Sequence, residues 1–341
     1  MEKTDSSKLN KLLACFLKNK LRHESPSLSE NCIFRVPETL IQHNESIYEP
    51  KIVSIGPYHR GKDRLALMEN IKLWYLDTLP AWLPLPPEET LQQLIECIRK
   101  LVKRTINCYV ERVDRSEDEL VEMMIVDGCF LLELFRIDVF HEQETSFLIE
   151  LVLKFFETTM LMTVPAELKS RGHEIKHILD LIQGSLLSEN TEPTNTSREL
   201  FPLVTELLRG RVQFKKGPPD DLLNIKFHNG MFEIPPIKIR GNSESLFRNL
   251  IAYEQCDCQC TDKFTSYAVF LDCLINTSKD ADLFCEKRIV VLALSTEDVS
   301  ILFNGLYSDI LVYDFYYGCV PMEVNQYYKS QWPRWRAILK R

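Results

Sequence analysis

Apolar residues recur every three or four positions through most of the first half of this chain, and that spacing constrains the fold most. In residues 88–109 the repeat places six apolar side chains on one face of a helix: Leu91, Leu94, Ile95, Ile98, Leu101 and Val102. The same spacing predicts helices over residues 65–79, where Pro80 follows, and over 116–136. Ser116 and Glu119 form a capping-box pattern at the start of the latter. Residues 145–162 are apolar nearly all round, which predicts a buried helix.

The pattern changes after residue 211. Residues 212–216 are typical of a short strand, and residues 224–227 and 231–234 flank His228-Asn229-Gly230. Asn-Gly between two such runs is a strong β-hairpin signal, and Pro235 and Pro236 then end the pairing. Helical spacing returns from residue 243, over 264–275, from 295 and from 322. The sequence therefore predicts a mainly α (α+β) fold, a large helical domain with a small β-hairpin element in its C-terminal half.

The 341 residues divide into four stretches by composition. We expect an N-terminal amphipathic helix and tail over 1–30, a helical N-terminal half over 31–187, a polar loop over 188–198, and a C-terminal half with the hairpin and helices over 199–341. The polar loop is the predicted boundary between the two halves.

The net charge, the cysteines and the apolar runs limit which functions and which cellular locations fit this chain. A net charge of -8 argues against general binding to nucleic acid. Eleven cysteines are scattered along a chain with no signal-peptide-like start, which favours reduced thiols and a cytoplasmic location. Apolar runs fall short of the roughly 20 residues that span a bilayer. At the C-terminus, however, Trp332, Trp335 and nearby cations are of the kind that flank a membrane helix.

One motif raises the possibility of metal chemistry. His173-Glu174-Ile175-Lys176-His177 matches the zinc-peptidase pattern, in which two imidazoles one helical turn apart hold zinc and the glutamate activates water. Glu199 is the candidate third ligand. Against this, Lys176 carries positive charge beside the proposed cation, and the apolar residues of 175–186 predict that both histidines lie on the solvated face. A zinc hydrolase using His173, His177 and Glu199 is therefore the alternative hypothesis.

Other signatures of catalysis are missing. The chain has no Gly-x-x-x-x-Gly-Lys loop, no Gly-x-Gly-x-x-Gly loop and no Gly-x-Ser-x-Gly elbow. Cys256, Cys258 and Cys260 alternate along the chain, whereas zinc sites favour Cys-x-x-Cys clamps. We therefore predict no catalytic residue, no cofactor and no bound metal.

An ordered series of short motifs resembles the plant family catalogued as domain of unknown function 247. The matching stretches are Ile33-Phe34-Arg35-Val36-Pro37, Tyr48-Glu49-Pro50, residues 53–59, Met68-Glu69 with Lys72, Asp127-Gly128-Cys129-Phe130, His177 with residues 179–181, residues 227–236, 249–255 and 274–277, and Trp332 to Arg336. They run in one order from about residue 32 to the end, which implies one family domain. His173 lies outside this series.

The resemblance implies a plant-specific, largely helical protein without established catalytic residues, and usually with one transmembrane helix after the Trp-Arg segment. Some members are associated with self-incompatibility recognition. We therefore expect a non-enzymatic recognition protein with protein partners, anchored in the plasma membrane where such a helix follows. The expected contact residues are Tyr48, Tyr58 and His59 in one region and Asn249, Tyr253 and Glu254 in another.

Two departures from the family pattern leave a further alternative open. The family's Leu-Glu-Asn-Gln stretch is only faintly matched by residues 138–157, and the terminal membrane helix is absent from this chain. A degenerate paralogue without activity would explain both.

Overall fold

The computed structural model describes residues 31–42, 44–78, 86–139, 149, 152–156, 175–186, 204–219, 221–257, 259–292, 294–306, 310–312 and 314–328. In this part of the chain the fold is mainly helical with short strands in the C-terminal half, which confirms the predicted fold class. The predicted N-terminal helix (1–30), the boundary loop (188–198) and the Trp332–Arg336 segment lie outside the described residues.

The N-terminal half is built from helices of increasing length. They are α1 (Glu38–Ile41), α2 (Glu45–Tyr48), a 3-10 turn (Asp63–Leu65), α3 (Ala66–Thr78), α4 (Pro87–Cys108) and α5 (Glu117–Val139). Each of the three long helices matches a predicted one, and α3 and α4 both pack against α5. The capping box is confirmed, because the Ser116 amide donates to Glu119 and the Glu119 amide donates to the Ser116 hydroxyl. Apolar side chains of α4 and α5 form a separate small core between these helices.

The strands form two small sheets. The first contains β1 (Gln213–Lys216), β2 (Lys226–His228) and β3 (Met231–Ile234) in the order β1-β3-β2. The β2–β3 hairpin is antiparallel as predicted, and Asn229 and Gly230 both adopt positive φ in its turn. The second sheet pairs β4 (Ile237–Ile239) with β5 (Val290–Leu292) in parallel. Neither β4, β5 nor the parallel β1–β3 pairing was predicted from the sequence.

Helices surround these sheets in the C-terminal half. They are α6 (Ile178–Leu186), α7 (Val204–Arg209), α8 (Ser243–Cys256), α9 (Lys263–Leu274), α10 (Ser278–Glu286) and α11 (Thr296–Leu306). Their inward faces and the strands form the largest hydrophobic core, in which Leu250, Leu274 and Phe284 are fully buried. α10 was not predicted, although Thr277 and Asp280 form a complete capping box at its start.

Two of the predicted helices lie only partly within the described residues. Of the expected helix at 145–162, residues 149 and 152–156 are described and are helical, and of the last one, 319–328 are helical. Throughout the described ranges, no helix combines the length and the hydropathy that a membrane span requires.

Candidate functional site

A cavity of about 460 Å³ lies between the N-terminal segments and the α6–α8 pair. We call it the Tyr58–Tyr253 pocket. Its N-terminal wall comprises Cys32, Ile33, Phe34, Val36, Ile55, Gly56, Pro57, Tyr58 and Tyr109, and its C-terminal wall comprises His177, Ile178, Leu179, Asn249, Ala252, Tyr253 and Cys256. The volume falls within the range of ligand pockets, and most of the lining side chains are apolar or aromatic.

The first part of the N-terminal wall is an extended segment that pairs with the end of α4. Ile33 forms a parallel bridge with Tyr109, and the Val110 amide donates to the Ile33 carbonyl over 3.1 Å. The Tyr109 ring packs edge-on against Tyr58, with ring centroids 5.4 Å apart. The Arg35 guanidinium also contacts the Tyr58 ring, at 4.2 Å from the ring centroid, which is a cation–π geometry. Tyr58 is thereby fixed by two neighbours.

The second part is the loop over residues 54–58, which is tied down through its backbone. The Gly56 amide donates to Asp127 Oδ2 over 2.8 Å, and Lys72 Nζ donates to the Ser54 carbonyl over 2.5 Å. Gly56 has a φ of 79°, and a Cβ there would lie 3.1 Å from the Tyr109 hydroxyl oxygen. Glycine is thus needed at this position both for the backbone conformation and for the close approach.

A fully buried lysine organises these contacts. Lys72 is 0% exposed, and its ammonium group lies 2.6 Å from Asp127 Oδ1 and 2.7 Å from Glu69 Oε1. Ser54 Oγ also donates to Glu69 Oε1 over 2.7 Å. Burial alone would raise the pKa of Glu69, but hydrogen bonds from Lys72 and Ser54 outweigh it and lower the pKa. Helices α3 and α5 therefore hold the 54–58 loop through paired charges rather than through apolar packing.

The C-terminal wall is organised around the Tyr253 hydroxyl. Tyr253 donates to Asp180 Oδ1 over 3.0 Å, and its oxygen lies 3.4 Å from Asp257 Oδ2. The Lys176 ammonium pairs with Asp257 Oδ2 over 2.7 Å, and the Lys176 amide donates to Asp180 Oδ2 over 2.9 Å. Burial, followed by contact with the Cys260 side chain, raises the pKa of Tyr253. The hydroxyl therefore stays protonated and links α8 to the start of α6.

His177 connects the two walls. Its Nδ1 accepts the Asp180 amide over 3.1 Å, so the proton of the neutral ring resides on Nε2, which lies 2.9 Å from the Cys32 carbonyl and donates to it. The ring also packs edge-on against Tyr253 with centroids 4.9 Å apart. Burial lowers the pKa of His177, which favours this neutral form.

This geometry corrects the prediction that the zinc-peptidase pattern lies on a helix with its histidines on the solvated face. Residues 175–177 precede α6 and are not helical, so His177 caps the helix and lies in the pocket wall rather than on a solvated helix face. Both of its ring nitrogens have backbone partners, which leaves neither for a metal. His173 and Glu199 lie outside the described residues, and within those residues no group of three side chains is arranged to hold a metal ion.

Glu254 lies behind the C-terminal wall and does not line the pocket. Its carboxylate accepts from the Thr265 amide over 2.7 Å, from the Thr265 hydroxyl over 2.6 Å and from the Phe264 amide over 3.1 Å. Gln183 Nε2 also donates to it, over 3.2 Å. Burial raises the pKa of Glu254 to about 7, against the opposing effect of these donors. Glu254 thus satisfies the amides that begin α9.

The structure brings three of the six expected contact residues together. Tyr58, Asn249 and Tyr253 line the pocket, whereas Tyr48, His59 and Glu254 do not. Tyr48 ends α2, which is joined to α8 by a hydrogen bond from Ser245 Oγ to the Ile47 carbonyl. His59 is half-buried beside the loop, and its Nδ1 has no hydrogen-bond partner among the described residues.

Sequence reasoning missed several of the lining residues. Tyr109 and Cys32 carry no local signal of a site, because each enters the pocket only through long-range contacts. His177 was singled out, but for a different role.

Comparison with known proteins identifies a family model that matches the chain and two similar relatives. The family model described as a plant protein of unknown function, DUF247, matches residues 33–146 and 137–341. The chain is similar to the UPF0481 protein At3g47200 of Arabidopsis thaliana, with 25% identity over 384 aligned positions that cover 90% of this chain and 79% of the relative. It is also similar to the putative UPF0481 protein At3g02645 of the same plant, with 20% identity, 88% of this chain and 82% of the relative. No solved structure matches.

Proposed function

This chain belongs to the DUF247 family of plant proteins of unknown function, and from that premise we propose that it is a non-catalytic recognition protein. The proposed ligand is an extended, apolar segment of a protein partner, and the proposed binding site is the Tyr58–Tyr253 pocket. One observation carries the proposal: the two regions expected from the sequence to make contacts, around Tyr58 and around Asn249 and Tyr253, form opposite walls of a single cavity.

The lining of the pocket favours an apolar peptide. Phe34, Val36 and Ile55 present apolar surface, and Ile55 is 45% exposed. Within the described residues, the backbone groups of Phe34 and Val36 make no hydrogen bond, although the neighbouring Ile33 is paired on one side. An extended partner segment can satisfy such groups by strand addition while its side chains enter the cavity.

A polar group in the C-terminal wall adds specificity. Asn249 Nδ2 donates to the Ser245 carbonyl over 2.7 Å, while its Oδ1 accepts from no described residue. That oxygen is therefore available to a donor on the partner, such as a backbone amide. A single acceptor in an apolar pocket fixes the orientation of a ligand.

Three polar side chains at the C-terminal wall support binding rather than chemistry. The Tyr253 hydroxyl is held by Asp180, the His177 nitrogens are held by backbone groups, and the Lys176 ammonium is held by Asp257. A nucleophile or general base needs to be within reach of a substrate with its reactive atom free. These groups instead hold the walls in position.

We assign the biological process on the family resemblance alone. It implies a recognition role related to self-incompatibility, with longer relatives tethered to the plasma membrane. The pocket would then present its opening to a partner at the membrane surface.

A photo-crosslinking experiment tests the proposal. The chain offers a matched pair of positions, since Ile55 lines the pocket and Ile52, 69% exposed, does not. Benzoylphenylalanine is placed at either position, the protein is expressed in plant tissue and irradiated, and adducts are mapped by mass spectrometry. We expect the Ile55 probe to label one apolar segment of a protein, and the Ile52 probe not to label that segment.

Three outcomes would overturn the proposal. If the Ile55 probe reacts only with a small molecule, the pocket is a small-molecule site. If both probes label the same proteins equally, the contact lies elsewhere on the surface. Turnover of any substrate that is lost in the Ile55 variant alone would contradict the non-catalytic assignment.

A further inference from the structure

Two cysteines that are far apart in the chain lie side by side at the base of the N-terminal wall. The Cys32 amide donates to the Cys108 carbonyl over 2.9 Å, and the Ile33 amide donates to the same carbonyl over 2.8 Å. The next residue pair, Ile33 and Tyr109, forms the parallel bridge. Cys32 and Cys108 are therefore neighbours in register on two paired segments.

This pairing brings the backbones of the two cysteines into direct contact. Paired segments lie about 4.8 Å apart, and disulfides join residues whose Cα atoms are about 4.4–6.8 Å apart. The Cys108 thiol donates to the Arg104 carbonyl over 3.4 Å and lies near enough to Cys32 to raise the pKa of its thiol.

The two thiols differ in accessibility. Cys32 is 4% exposed and lines the pocket, whereas Cys108 is half-buried at the end of α4. Cys97, on the same helix, is exposed and makes no contact with Cys32. A reagent from solution therefore reaches Cys108 first, and Cys32 is positioned to react second.

We propose that Cys32 and Cys108 form a reversible dithiol–disulfide pair that is oxidised by a low-molecular-weight disulfide such as oxidised glutathione. In the first step the Cys108 thiolate attacks the oxidant, which forms a mixed disulfide and releases one glutathione thiolate. In the second step the Cys32 thiolate attacks the Cys108 sulfur and releases the other glutathione. Two cysteine thiols and one oxidised glutathione thus become one protein disulfide and two reduced glutathiones.

The second step controls the rate. In the reduced protein, burial and then the neighbouring Cys108 thiol raise the pKa of Cys32 to about 12. The effect of burial, which is the larger, persists in the mixed disulfide, so only a small fraction of Cys32 is thiolate at neutral pH. Because the thiolate is the nucleophile, ring closure should accelerate about tenfold for each pH unit between 7 and 9. The mixed disulfide on Cys108 should accumulate transiently at the lower pH.

The bond would act on the wall that carries the pocket. It would add a covalent link between residues 32–36 and the end of α4 to the backbone hydrogen bonds and the Arg35–Glu111 ion pair that hold this segment. Closing so long a loop should raise the melting temperature, by about 5 °C. This inference concerns the cysteines themselves and does not require that the pocket bind a partner.

The test is oxidation of the native, full-length protein with oxidised glutathione at pH 8, followed by peptide mapping without reduction. We expect a Cys32–Cys108 peptide in the wild type and in the control Cys97→Ser, and the rise in melting temperature in both. Cys32→Ser should stop at a glutathione adduct on Cys108, and Cys108→Ser should form neither product at this site. Far-ultraviolet circular dichroism establishes that each variant is folded.

Glutathione adducts without the Cys32–Cys108 peptide in folded wild-type protein would overturn the proposal. So would a disulfide between any other pair formed at an equal rate, or one that appears only after denaturation. A rate of disulfide formation that does not rise with pH would overturn the thiolate mechanism, and a mixed disulfide on Cys32 instead of Cys108 would overturn the order of the two steps.

Discussion

The two walls of the Tyr58–Tyr253 pocket are held in place by different kinds of polar interaction. Behind the N-terminal wall, the fully buried Lys72 ammonium is neutralised by Asp127 and Glu69. Behind the C-terminal wall, Glu254 is surrounded by uncharged donors, and burial raises its pKa to about 7. The first wall rests on a fully buried ammonium and its paired carboxylates. The second has an ion pair of its own, Lys176 with Asp257, but it also rests on hydrogen bonds to a carboxyl group that gains a proton easily.

Because of that difference, the two walls should respond differently to mutation and to pH. Loss of one member of a buried ion pair leaves an uncompensated charge, which is among the most destabilising changes known. A carboxyl group with a raised pKa instead makes stability depend on pH. The N-terminal wall should therefore be sensitive to mutation, and the C-terminal wall to proton concentration.

The largest effect is expected for Lys72→Met. The substitution removes the bond to the Ser54 carbonyl and the nearest cation to Asp127 and Glu69. The more distant Arg60 guanidinium, 3.3 Å from Glu69 and 3.8 Å from Asp127, compensates these carboxylates only in part. We expect a loss of about 3–5 kcal/mol in the free energy of unfolding, measured by urea denaturation. The control is Lys62→Met, since Lys62 pairs with Glu49 at the surface, and its denaturation midpoint should not change. Equal losses in the free energy of unfolding for the two variants would contradict the role assigned to the buried charges behind the N-terminal wall.

The second prediction concerns pH. The unfolded-state pKa of a glutamate is near 4.5 and that of folded Glu254 is about 7, so the folded state retains a proton that the unfolded state has lost. Its contribution to stability is fully present below pH 4.5 and is lost as the pH rises through about 7, by on the order of 3 kcal/mol. Urea denaturation at a series of pH values measures this loss.

Glu254→Gln provides the control for the pH series. The amide does not titrate, so the difference between wild type and variant should shrink as the pH rises from 5 to 8. A constant difference would show that Glu254 has the same protonation state in both folded and unfolded protein.

The smallest effect is expected for Tyr253→Phe. It removes the hydroxyl that donates to Asp180 over 3.0 Å, and hydrogen bonds to charged acceptors contribute about 2 kcal/mol. Tyr328→Phe is the matched control, because Tyr328 donates to the Glu206 backbone carbonyl at an exposed position, and its cost should stay below about 1 kcal/mol. Denaturation of both variants at pH 7 makes the comparison, and a larger cost at Tyr328 would contradict it.

Local sequence signals were sufficient for much of the fold. Helical spacing located α3, α4 and α5, the Ser116 box located a helix start, and Asn229-Gly230 located the hairpin. Each of these features is decided within a few residues of chain. The helix α10 was missed although its Thr277 box is of the same kind, so that signal was present but unused.

The site was less predictable because its determinants are long-range. The motif residues Lys72 and Asp127 were recognised as a pattern, yet nothing in their spacing shows that one neutralises the other inside the protein. The same holds for the parallel strand pairs, whose partners are brought together by the intervening fold. His177 was assigned to a helix face from its spacing, whereas the helix begins only after it.

The most direct test of the account is a binding titration with the partner segment identified by the Ile55 probe. The segment is synthesised as a peptide, and its affinity is measured by calorimetry for the wild type, Ile55→Glu and Ile52→Glu. A carboxylate at Ile55, in the pocket lining, should weaken binding by more than about tenfold, while the same change at Ile52 should alter it by less than about twofold. Equal affinities for all three proteins would contradict it.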